Sequence, residues 1–592
     1  MNAAPVRTGL SAGRNMQSAE NNNEQPGPKP DAKQAAAIGC THNAVVSAGA
    51  GSGKTFVLTE RFFNLVESGK AEVDQILTLT FTKKAASEMF ERIYKRLLRS
   101  QDASEYIREQ VRKFDSAQIS TLDSFCAQIA RAGAGLFGIT PDFSIDDPGA
   151  ADCAEQTALH FLLQHSDNVI LQQYSIKHSF ERVWKDFFSV YGHTGVSIAR
   201  KTDYPEMERS QRAYLEERFR FHTEKMVSAA QGILSLDTGT IKAVQSSQEA
   251  LSCFDDIKAA SAGKEYGGML QLVGQISLSK RGVSQSKREE AAMLGEYIDV
   301  FREHQKQVEL IAGTLEHWGI NKEILSLLQE YEGELQKEKR RLGICSYHDV
   351  LILAIETLKR DNTLRSYFKS LFRYIMIDEF QDNNGMQKQL LYLLAERKGL
   401  FREEPKAEDL EEGKLFFVGD DKQSIYRFRG ADVSVFKALC NELTGEKGSH
   451  IEMEQNYRSN PGLIDFYNNL FQAVLSAEGE AAPYEAEFLP LKAGGEHPQV
   501  TPEIQIHYKP FDEDEDTVRF ASGDETEAYY LAQYIRGHVE NETLPVRDGE
   551  KLRPAGYSDF ALLMRSTGSQ AVYERLFRQF GIPYSTDNVR TL

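Results

Sequence analysis

The chain has 592 residues and a formal net charge of −18, and 41% of its residues are hydrophobic while 26% are charged. This composition is typical of a soluble globular protein of several domains. The excess of acidic residues disfavours indiscriminate binding to nucleic acid, although it does not exclude a local basic channel. No apolar stretch is long enough to span a bilayer, so we expect no membrane partner.

Two further features of composition bear on the compartment. The six cysteines are scattered and form no C-x-x-C pair. This argues against a disulfide framework or a zinc site and predicts a cytoplasmic protein. Residues 1–30 are rich in Ala, Asn, Ser, Gly and Pro and lack an apolar core, which indicates a disordered tail rather than a signal peptide.

The first chemical signal along the chain is a glycine-rich segment, residues 48–55, that follows an apolar run and precedes a helical pattern. Strand, glycine-rich turn and helix is the context of a phosphate-binding loop. Its glycines let backbone N–H groups converge on phosphate oxygens, Lys54 can reach the β- and γ-phosphates, and the Thr55 hydroxyl can ligate Mg²⁺. The loop consists of Ala48, Gly49, Ala50, Gly51, Ser52, Gly53, Lys54 and Thr55, with Ala48 in place of the usual first Gly. The alternative is a glycine-rich turn without a ligand.

Residues 31–139 alternate short apolar runs with helical patterns, which predicts a parallel sheet with crossover helices. We expect strands at 76–81 and 117–121. Each is followed by hydroxyl and amide groups at the start of a helix, in the segments TFTKKAA and STLDSFC, where a phosphodiester could bind. For both segments an N-cap without a ligand is the more common outcome.

Residues 140–341 differ, because long helical patterns dominate and clear strands are absent. We interpret this region as a helical insertion within the first α/β domain, with a flexible loop at 260–287. The first domain then resumes over 342–445, with strands expected at 373–377 and 415–418.

A second α/β domain is expected to begin at residue 446. The pattern predicts strands at 450–453, 503–508 and 560–564. Helices are expected at 526–539 and 569–580. We therefore expect residues 446–592 to form the beginning of this domain.

Two acidic residues directly follow the strand expected at 373–377. Carboxylates at the carboxyl end of a sheet strand face the ligand crevice. Asp378 is placed to hold Mg²⁺ through water, and Glu379 is placed to orient and deprotonate an attacking water. The alternative is a strand capped by a solvated acidic turn.

Polar, aromatic and basic residues are interleaved after the strand at 415–418, in the segment GDDKQSIYRFRGA. The amide of Gln423 could sense a γ-phosphate. Tyr426 and Phe428, flanked by arginines, could stack on unpaired bases. Spacing alone leaves this stacking role and a place in the core equally open.

A short segment, QNYRS, follows the strand at 450–453. Arg458 could supply positive charge to a γ-phosphate, and Tyr457 could stack on adenine. Taken alone, the segment is better interpreted as a helix entry with a surface arginine. Far upstream, Gln34 could contact the adenine edge, although a single Gln carries almost no weight.

Taken together and in this order, these segments resemble the UvrD/Rep-like superfamily 1 DNA helicases. The match consists of Gln34 followed by AGAGSGKT, TFTKKAA, STLDSFC, DEFQD, GDDKQSIYRFRGA and QNYRS. It covers residues 31–140 and 345–465, and a weaker similarity continues to Tyr584. The long insertion and the segment 342–358, which contains YHDVL, are more similar to the RecB/AddA helicase–nuclease branch.

The resemblance implies a P-loop NTPase with a RecA-like parallel-sheet core, a large helical insertion and the start of a second RecA-like domain. ATP would bind in the cleft with Mg²⁺. Gln34 would contact adenine and Tyr457 would stack on it, while the glycine-rich loop would hold the phosphates. Thr55 and Asp378 would serve Mg²⁺.

The same resemblance implies roles in hydrolysis and DNA binding. Glu379 would be the catalytic base, and Gln423 and Arg458 would report on the γ-phosphate. The expected DNA contacts are Phe81, Thr82, Lys84, Thr121, Tyr426, Phe428 and Arg429.

Three departures from the family pattern stand out. Lys83 replaces a usual Asn, Asp123 replaces a usual His, and Phe428 stands where many members have Trp. The family's late motifs and any nuclease signature are also not found. We therefore expect the N-terminal part of a longer helicase or helicase–nuclease.

The expected function is ATP-driven 3′-to-5′ movement on single-stranded DNA during recombination or repair of DNA ends. A second helicase–nuclease subunit is a possible partner, and the protein is expected to be cytoplasmic and associated with the nucleoid. The alternative is a nucleotide-responsive single-stranded DNA-binding module with little ATP turnover. A P-loop kinase or GTPase would leave DEFQD and the aromatic–arginine segment without a role.

Overall fold

Six strands form one parallel sheet in the order β3-β2-β6-β7-β1-β8. The computed structural model describes residues 29–237, 242–280, 289–445, 448–475, 484–485, 488–495, 502–506, 523–548 and 551–586. The strands are β1 Ala44–Ala48, β2 Ile76–Thr80, β3 Gln118–Thr121, β4 Ser144–Ile145, β5 Ile344–Cys345, β6 Tyr374–Ile377, β7 Leu415–Gly419, β8 Ser449–Met453, β9 Gln455–Asn456, β10 Lys492–Ala493, β11 Pro545–Asp548 and β12 Lys551–Pro554.

Helices surround the sheet and build the region between β4 and β5. They are α1 Ala32–Gly39, α2 Lys54–Glu67, α3 Lys83–Arg99, α4 Glu105–Arg112, α5 Leu122–Gly133, α6 Asp147–Gln164, α7 Val169–His178, α8 Val190–Thr194, α9 Tyr204–Ser235, α10 Lys242–Ala250, α11 Phe254–Gly263, α12 Tyr266–Gly274, α13 Glu289–Glu316, α14 Trp318–Leu342, α15 Tyr347–Arg360, α16 Asn362–Leu371, α17 Gly385–Ala395, α18 Val433–Glu442, α19 Pro461–Val474, α20 Gly523–Glu540 and α21 Gln570–Gln579. A π-helical stretch, Arg182–Ser189, precedes α8. No helix among the described residues is both long enough and apolar enough to cross a membrane.

The sheet is buried on both faces because successive side chains along a strand point in opposite directions. On β1, Val45 packs into the cluster formed with α5, α15 and α17. Its neighbour Val46 packs into the cluster formed with α2 and α3. The near-continuous apolar runs that predicted these strands follow from this two-sided burial, and the α/β fold class is confirmed.

The helical region between β4 and β5 has its own hydrophobic clusters. Two expectations for it are wrong. Part of the loop expected at 260–287 is helical, because α12 buries Met269 and Val273 in the cluster around α9 and α13. Residues 281–287 of that loop lie outside the described residues.

The absence of strands between 140 and 341 is also wrong at one end. Ser144–Ile145 pairs in parallel with Ile344–Cys345, which lies just beyond the predicted boundary at 341. Two residues give too short an apolar run to be seen in a sequence pattern. This small ladder brings the entrance and the exit of the helical region together.

The expected boundary at residue 446 is wrong for β8. This strand, Ser449–Met453, pairs in parallel with β1 and completes the first sheet. An apolar run predicts a strand but does not say which sheet it joins, because the partner is decided by contacts distant in sequence.

Two further strands are not formed where they were expected. Residues 503–506 are irregular, while 507–508 lie outside the described residues. Residues 560–564 are also irregular, and Leu563 is 94% exposed. A strand needs a partner for its backbone groups, and no strand of the described residues pairs with either segment. Helices α20 and α21 do form as expected, whereas residues 1–28 of the expected tail are not described.

A buried ion pair joins the helical region to the core. Nζ of Lys339, on α14, lies 3.0 Å from Oδ2 of Asp349, on α15, and both side chains are fully buried. Lys339 also donates to the carbonyl of Val196, and Asp349 accepts from the backbone and hydroxyl of Ser346. These bonds satisfy charges that would otherwise be costly to bury.

We predict that Lys339→Met destabilises the protein by about 3–5 kcal/mol, because it leaves the Asp349 carboxylate buried without its counter-charge. Lys337→Met is the matched control, because Lys337 is exposed on the same helix. Urea unfolding, with hydrogen exchange at 346–350, measures the effect. Equal midpoints for the two variants would contradict the prediction.

Candidate nucleotide and DNA site

All six strands of the main sheet end at the same edge, because they are parallel. The glycine-rich loop follows β1, and the acidic pair at 378–379 follows β6. The segments 420–429 and 454–458 follow β7 and β8. The structure therefore brings the separate motifs to the edge where α/β sheets bind ligands.

The glycine-rich loop has the conformation of a phosphate cradle. Gly51 and Gly53 have φ values of +70° and +87°, in the left-handed region that favours glycine. Helix α2 begins at Lys54, and no side chain of the described residues caps it. The first N–H groups of α2 are therefore left for an anion. The buried hydroxyl of Ser52 also has no hydrogen-bond partner among the described residues, so the loop fits a bound phosphate.

The lysine of the loop is in direct contact with the acidic pair. Nζ of Lys54 lies 2.8 Å from Oε2 of Glu379. Glu379 has a φ of +50°, so its backbone is held in a conformation that non-glycine residues seldom adopt. The residues predicted to bind phosphate and to activate water are thus neighbours, and a phosphate entering the loop would compete with Glu379 for Lys54.

Asp378 lies beside this pair and is only 8% exposed. Burial raises the pKa of its carboxyl to about 7, and the neighbouring charge of Glu379 adds to the rise. Its Oδ1 accepts the backbone N–H of Glu379 at 3.0 Å. A divalent cation at this carboxyl would favour the ionised form.

The donor set suits Mg²⁺ that is shared with phosphates. The described residues contain no group of three or more His, Cys, Asp or Glu side chains that could hold a metal by themselves. Mg²⁺ commonly takes one or two protein oxygens and completes its shell with phosphates and water. Asp378 and the Thr55 hydroxyl would supply those protein oxygens.

Gln381, to which no sequence pattern assigned a role, connects two motifs. Its side chain is 1% exposed. Nε2 donates to Oε2 of Glu379 at 2.8 Å, and Oε1 accepts the backbone N–H of Asp420 at 2.9 Å. Asp420 in turn accepts from Nε2 of Gln423 at 2.6 Å. The only sequence signal was its position two residues after Glu379.

The two residues expected at adenine lie close to each other. Gln34 is buried, with Nε2 donating to the carbonyl of Ser52 at 2.9 Å and Oε1 accepting from the N–H of Asp31 at 3.1 Å. The hydroxyl of Tyr457 donates to the carboxylate of the same Asp31. Both side chains therefore border the loop, but the Gln34 amide is already hydrogen-bonded within the protein.

Arg458 is exposed at the end of the segment after β8. Its backbone N–H donates to Oδ1 of Asn456 at 2.9 Å. Its guanidinium makes no hydrogen bond or ion pair within the part of the chain that the structure describes. It is therefore available to an anionic ligand beside the phosphate loop.

An aromatic platform, which we define as Phe81, Tyr426 and Phe428, lies beyond the acidic pair. The rings of Phe81 and Tyr426 are 4.8 Å apart, and those of Tyr426 and Phe428 are 5.9 Å apart. The Arg429 guanidinium lies 5.4 Å and 5.7 Å from the last two rings. Phe428 is 79% exposed, so a place in the core is wrong for this residue.

The remaining residues expected at DNA begin helices. The Thr82 hydroxyl caps α3 by accepting from the N–H of Ala85 at 3.1 Å. The Thr121 hydroxyl caps α5 by accepting from the N–H of Ser124 at 3.2 Å. Both hydroxyls are thus used as N-caps, the alternative that the sequence had left open. Lys84 is exposed beside the platform residue Phe81.

A parallel sheet with a phosphate loop after its first strand and an acidic pair beside that loop defines a P-loop NTPase. The family model for the UvrD/REP helicase N-terminal domain matches residues 29–444. The chain belongs to this helicase family, so the resemblance drawn from the motifs is confirmed.

Similar proteins are named as subunits of ATP-dependent helicase/nucleases. The protein from Staphylococcus aureus (strain NCTC 8325 / PS 47) is 24% identical over 589 residues, covering 92% of this chain and 47% of its own length. That from Syntrophomonas wolfei is 27% identical over 503 residues, covering 76% of this chain and 38% of its own length. The chain thus spans about half the length, or less, of these curated relatives.

We predict that Phe428→Ala weakens binding of single-stranded DNA by about 1–3 kcal/mol, because it removes an exposed stacking surface. Fluorescence anisotropy with a labelled oligonucleotide measures this. Tyr367→Ala is the control, because Tyr367 is 56% exposed on α16, which leads into the opposite end of β6. Unchanged binding by the Phe428 variant would rule out stacking on this ring.

Proposed function

We propose that this chain is the ATP-driven motor portion of a DNA helicase that moves 3′-to-5′ along single-stranded DNA. The observation that carries the proposal is the convergence of the phosphate loop, Glu379 and the aromatic platform at one sheet edge. A nucleotide site and a surface for unpaired bases within one domain are what a motor requires. Membership in the helicase family supports the same function.

In this proposal the triphosphate lies against the backbone of 49–55, and Lys54 exchanges Glu379 for phosphate oxygens. Glu379 is then free to orient the attacking water and accept its proton. Gln423 and Arg458 contact the γ-phosphate, and Arg458 adds positive charge in the transition state.

Mg²⁺ would be held by the Thr55 hydroxyl and Asp378, and it would neutralise charge on the β- and γ-phosphates. Adenine would lie near Tyr457 and Gln34. DNA would pass over the aromatic platform, with Arg429 and Lys84 beside its phosphates and with Thr82 and Thr121 at the starts of α3 and α5.

We also propose how the chain is divided. Residues 31–139 and 342–445, together with β8, form the first RecA-like domain, and 140–341 are its helical insertion. The segment after β8 begins a second RecA-like domain. By similarity to the helicase/nuclease proteins, the longer protein would process DNA ends in recombination or repair with a second subunit.

One observation favours a second candidate function, a nucleotide-responsive DNA-binding module with little turnover. The strand expected at 560–564 is not formed, so the described residues contain one complete motor sheet. ATPase activity separates the candidates. The motor requires turnover that single-stranded DNA stimulates, whereas the binding module requires nucleotide binding without such turnover.

We predict that Lys54→Ala lowers the affinity for Mg-ATP by at least about tenfold, because it removes a charge-assisted contact to phosphate. Isothermal titration measures the affinity. Lys70→Ala is the control, because Lys70 is exposed just beyond the other end of α2. Equal affinities in the wild type and the Lys54 variant would reject the nucleotide site.

We further predict that Glu379→Gln binds Mg-ATP but hydrolyses it about 10²–10⁴-fold more slowly, because an amide cannot accept the proton. Steady-state ATPase with and without single-stranded DNA measures the rate. If the wild type hydrolyses ATP no faster than this variant, the motor fails and the binding module stands.

A further inference from the structure

The segment after β8 lies directly against the phosphate loop. The N–H of Gly49 donates to the carbonyl of Met453 at 3.1 Å, and the N–H of Tyr457 donates to the carbonyl of Gly51 at 2.9 Å. Between these contacts, β9 pairs in parallel with β10. The loop that would hold phosphate and the segment that carries Arg458 are thus joined through their backbones.

Asn456 is the one side chain of this segment that bonds to the loop and to the Arg458 backbone at once, within the part of the chain that the structure describes. It is 3% exposed. Nδ2 donates to the carbonyl of Ala50 at 2.7 Å. Oδ1 accepts the backbone N–H groups of Arg458 at 2.9 Å and Ser459 at 2.8 Å. The partners fix the orientation of the amide, because a carbonyl faces the nitrogen and two N–H groups face the oxygen.

The packing around Asn456 leaves no room for independent movement. A Cβ placed on Gly51 would lie 2.7 Å from Oδ1 of Asn456. Gly51 also has a positive φ, so two constraints favour glycine there. A shift of the loop at 50–51 would therefore move Asn456, and with it the backbone of Arg458.

We propose that Asn456 is a positioning residue that fixes Arg458 relative to the phosphate loop, and that this placement lets the protein distinguish a nucleoside triphosphate from a diphosphate. The proposal rests on the proposed nucleotide site. The guanidinium of Arg458 has no partner in the described structure to hold it. Its reach toward a γ-phosphate is therefore set by where its backbone is anchored, and Asn456 supplies that anchor.

The test replaces Asn456 with aspartate, which has the same shape. Asn456→Asp keeps an acceptor for the N–H groups of Arg458 and Ser459, but it turns an oxygen toward the carbonyl of Ala50. Affinities of the full chain for Mg-ADP and for a Mg-bound non-hydrolysable ATP analogue are measured by isothermal titration. We expect the ratio of triphosphate to diphosphate affinity to fall by about tenfold, the size expected when a buried hydrogen bond is left unmade.

Asn460→Asp is the charge-matched control. Asn460 caps α19 four residues away, with Oδ1 accepting from the N–H of Gly462 at 2.9 Å, and aspartate caps helices equally well. Its ratio should equal that of the wild type. Thermal melting checks folding, and Asn456→Ser, which is too short to reach Ala50, is measured if the aspartate variant does not fold.

A double-mutant cycle decides whether Asn456 acts through Arg458. In an Arg458→Ala background, Asn456→Asp should lower the ratio no further. Losses that add, or an equal loss of affinity for both nucleotides, would overturn the positioning role. If Lys54→Ala leaves both affinities unchanged, the nucleotide site itself fails. If Lys54→Ala weakens binding while Asn456→Asp leaves the ratio unchanged, the positioning role alone fails.

Discussion

The parallel pairing of β1 with β7 and β8, and of β6 with β7, is the constraint on which the rest of the site depends. Parallel strands end at one edge, so segments more than 300 residues apart in sequence, such as 49–55 and 378–379, become neighbours. Because both faces of the sheet are covered by helices, that edge is where polar side chains can meet a ligand. The chemistry follows from the pairing, and no motif could act without it.

Charge at this edge is balanced by a few close contacts. Lys54 is paired with Glu379, while buried Asp378 has a pKa raised to about 7. Gln381 connects Glu379 to the segment that leads to the aromatic platform. A phosphate or a divalent cation would therefore meet groups that exchange partners, and such an exchange is a physical route from nucleotide to DNA surface.

The helical region is attached so that it does not disturb the edge. It leaves and rejoins the core through the short β4–β5 ladder, and the buried pair of Lys339 and Asp349 joins it to α15. α15 packs on the face of the sheet, with Leu353 in the same cluster as Val45. A large insertion is thus accommodated with the sheet order intact.

The sequence by itself determined the strand–loop–helix around Lys54, the acidic pair and the family, because these depend on residue types at short spacing. Only the tertiary structure placed β8 in the first sheet, left 560–564 unpaired, and revealed the bonds of Gln381 and Asn456. It also decided that Phe428 is exposed, a question that spacing had left open. The physical reason is common to all of these, since strand partners, burial and polar contacts between distant segments are set by packing of the whole chain.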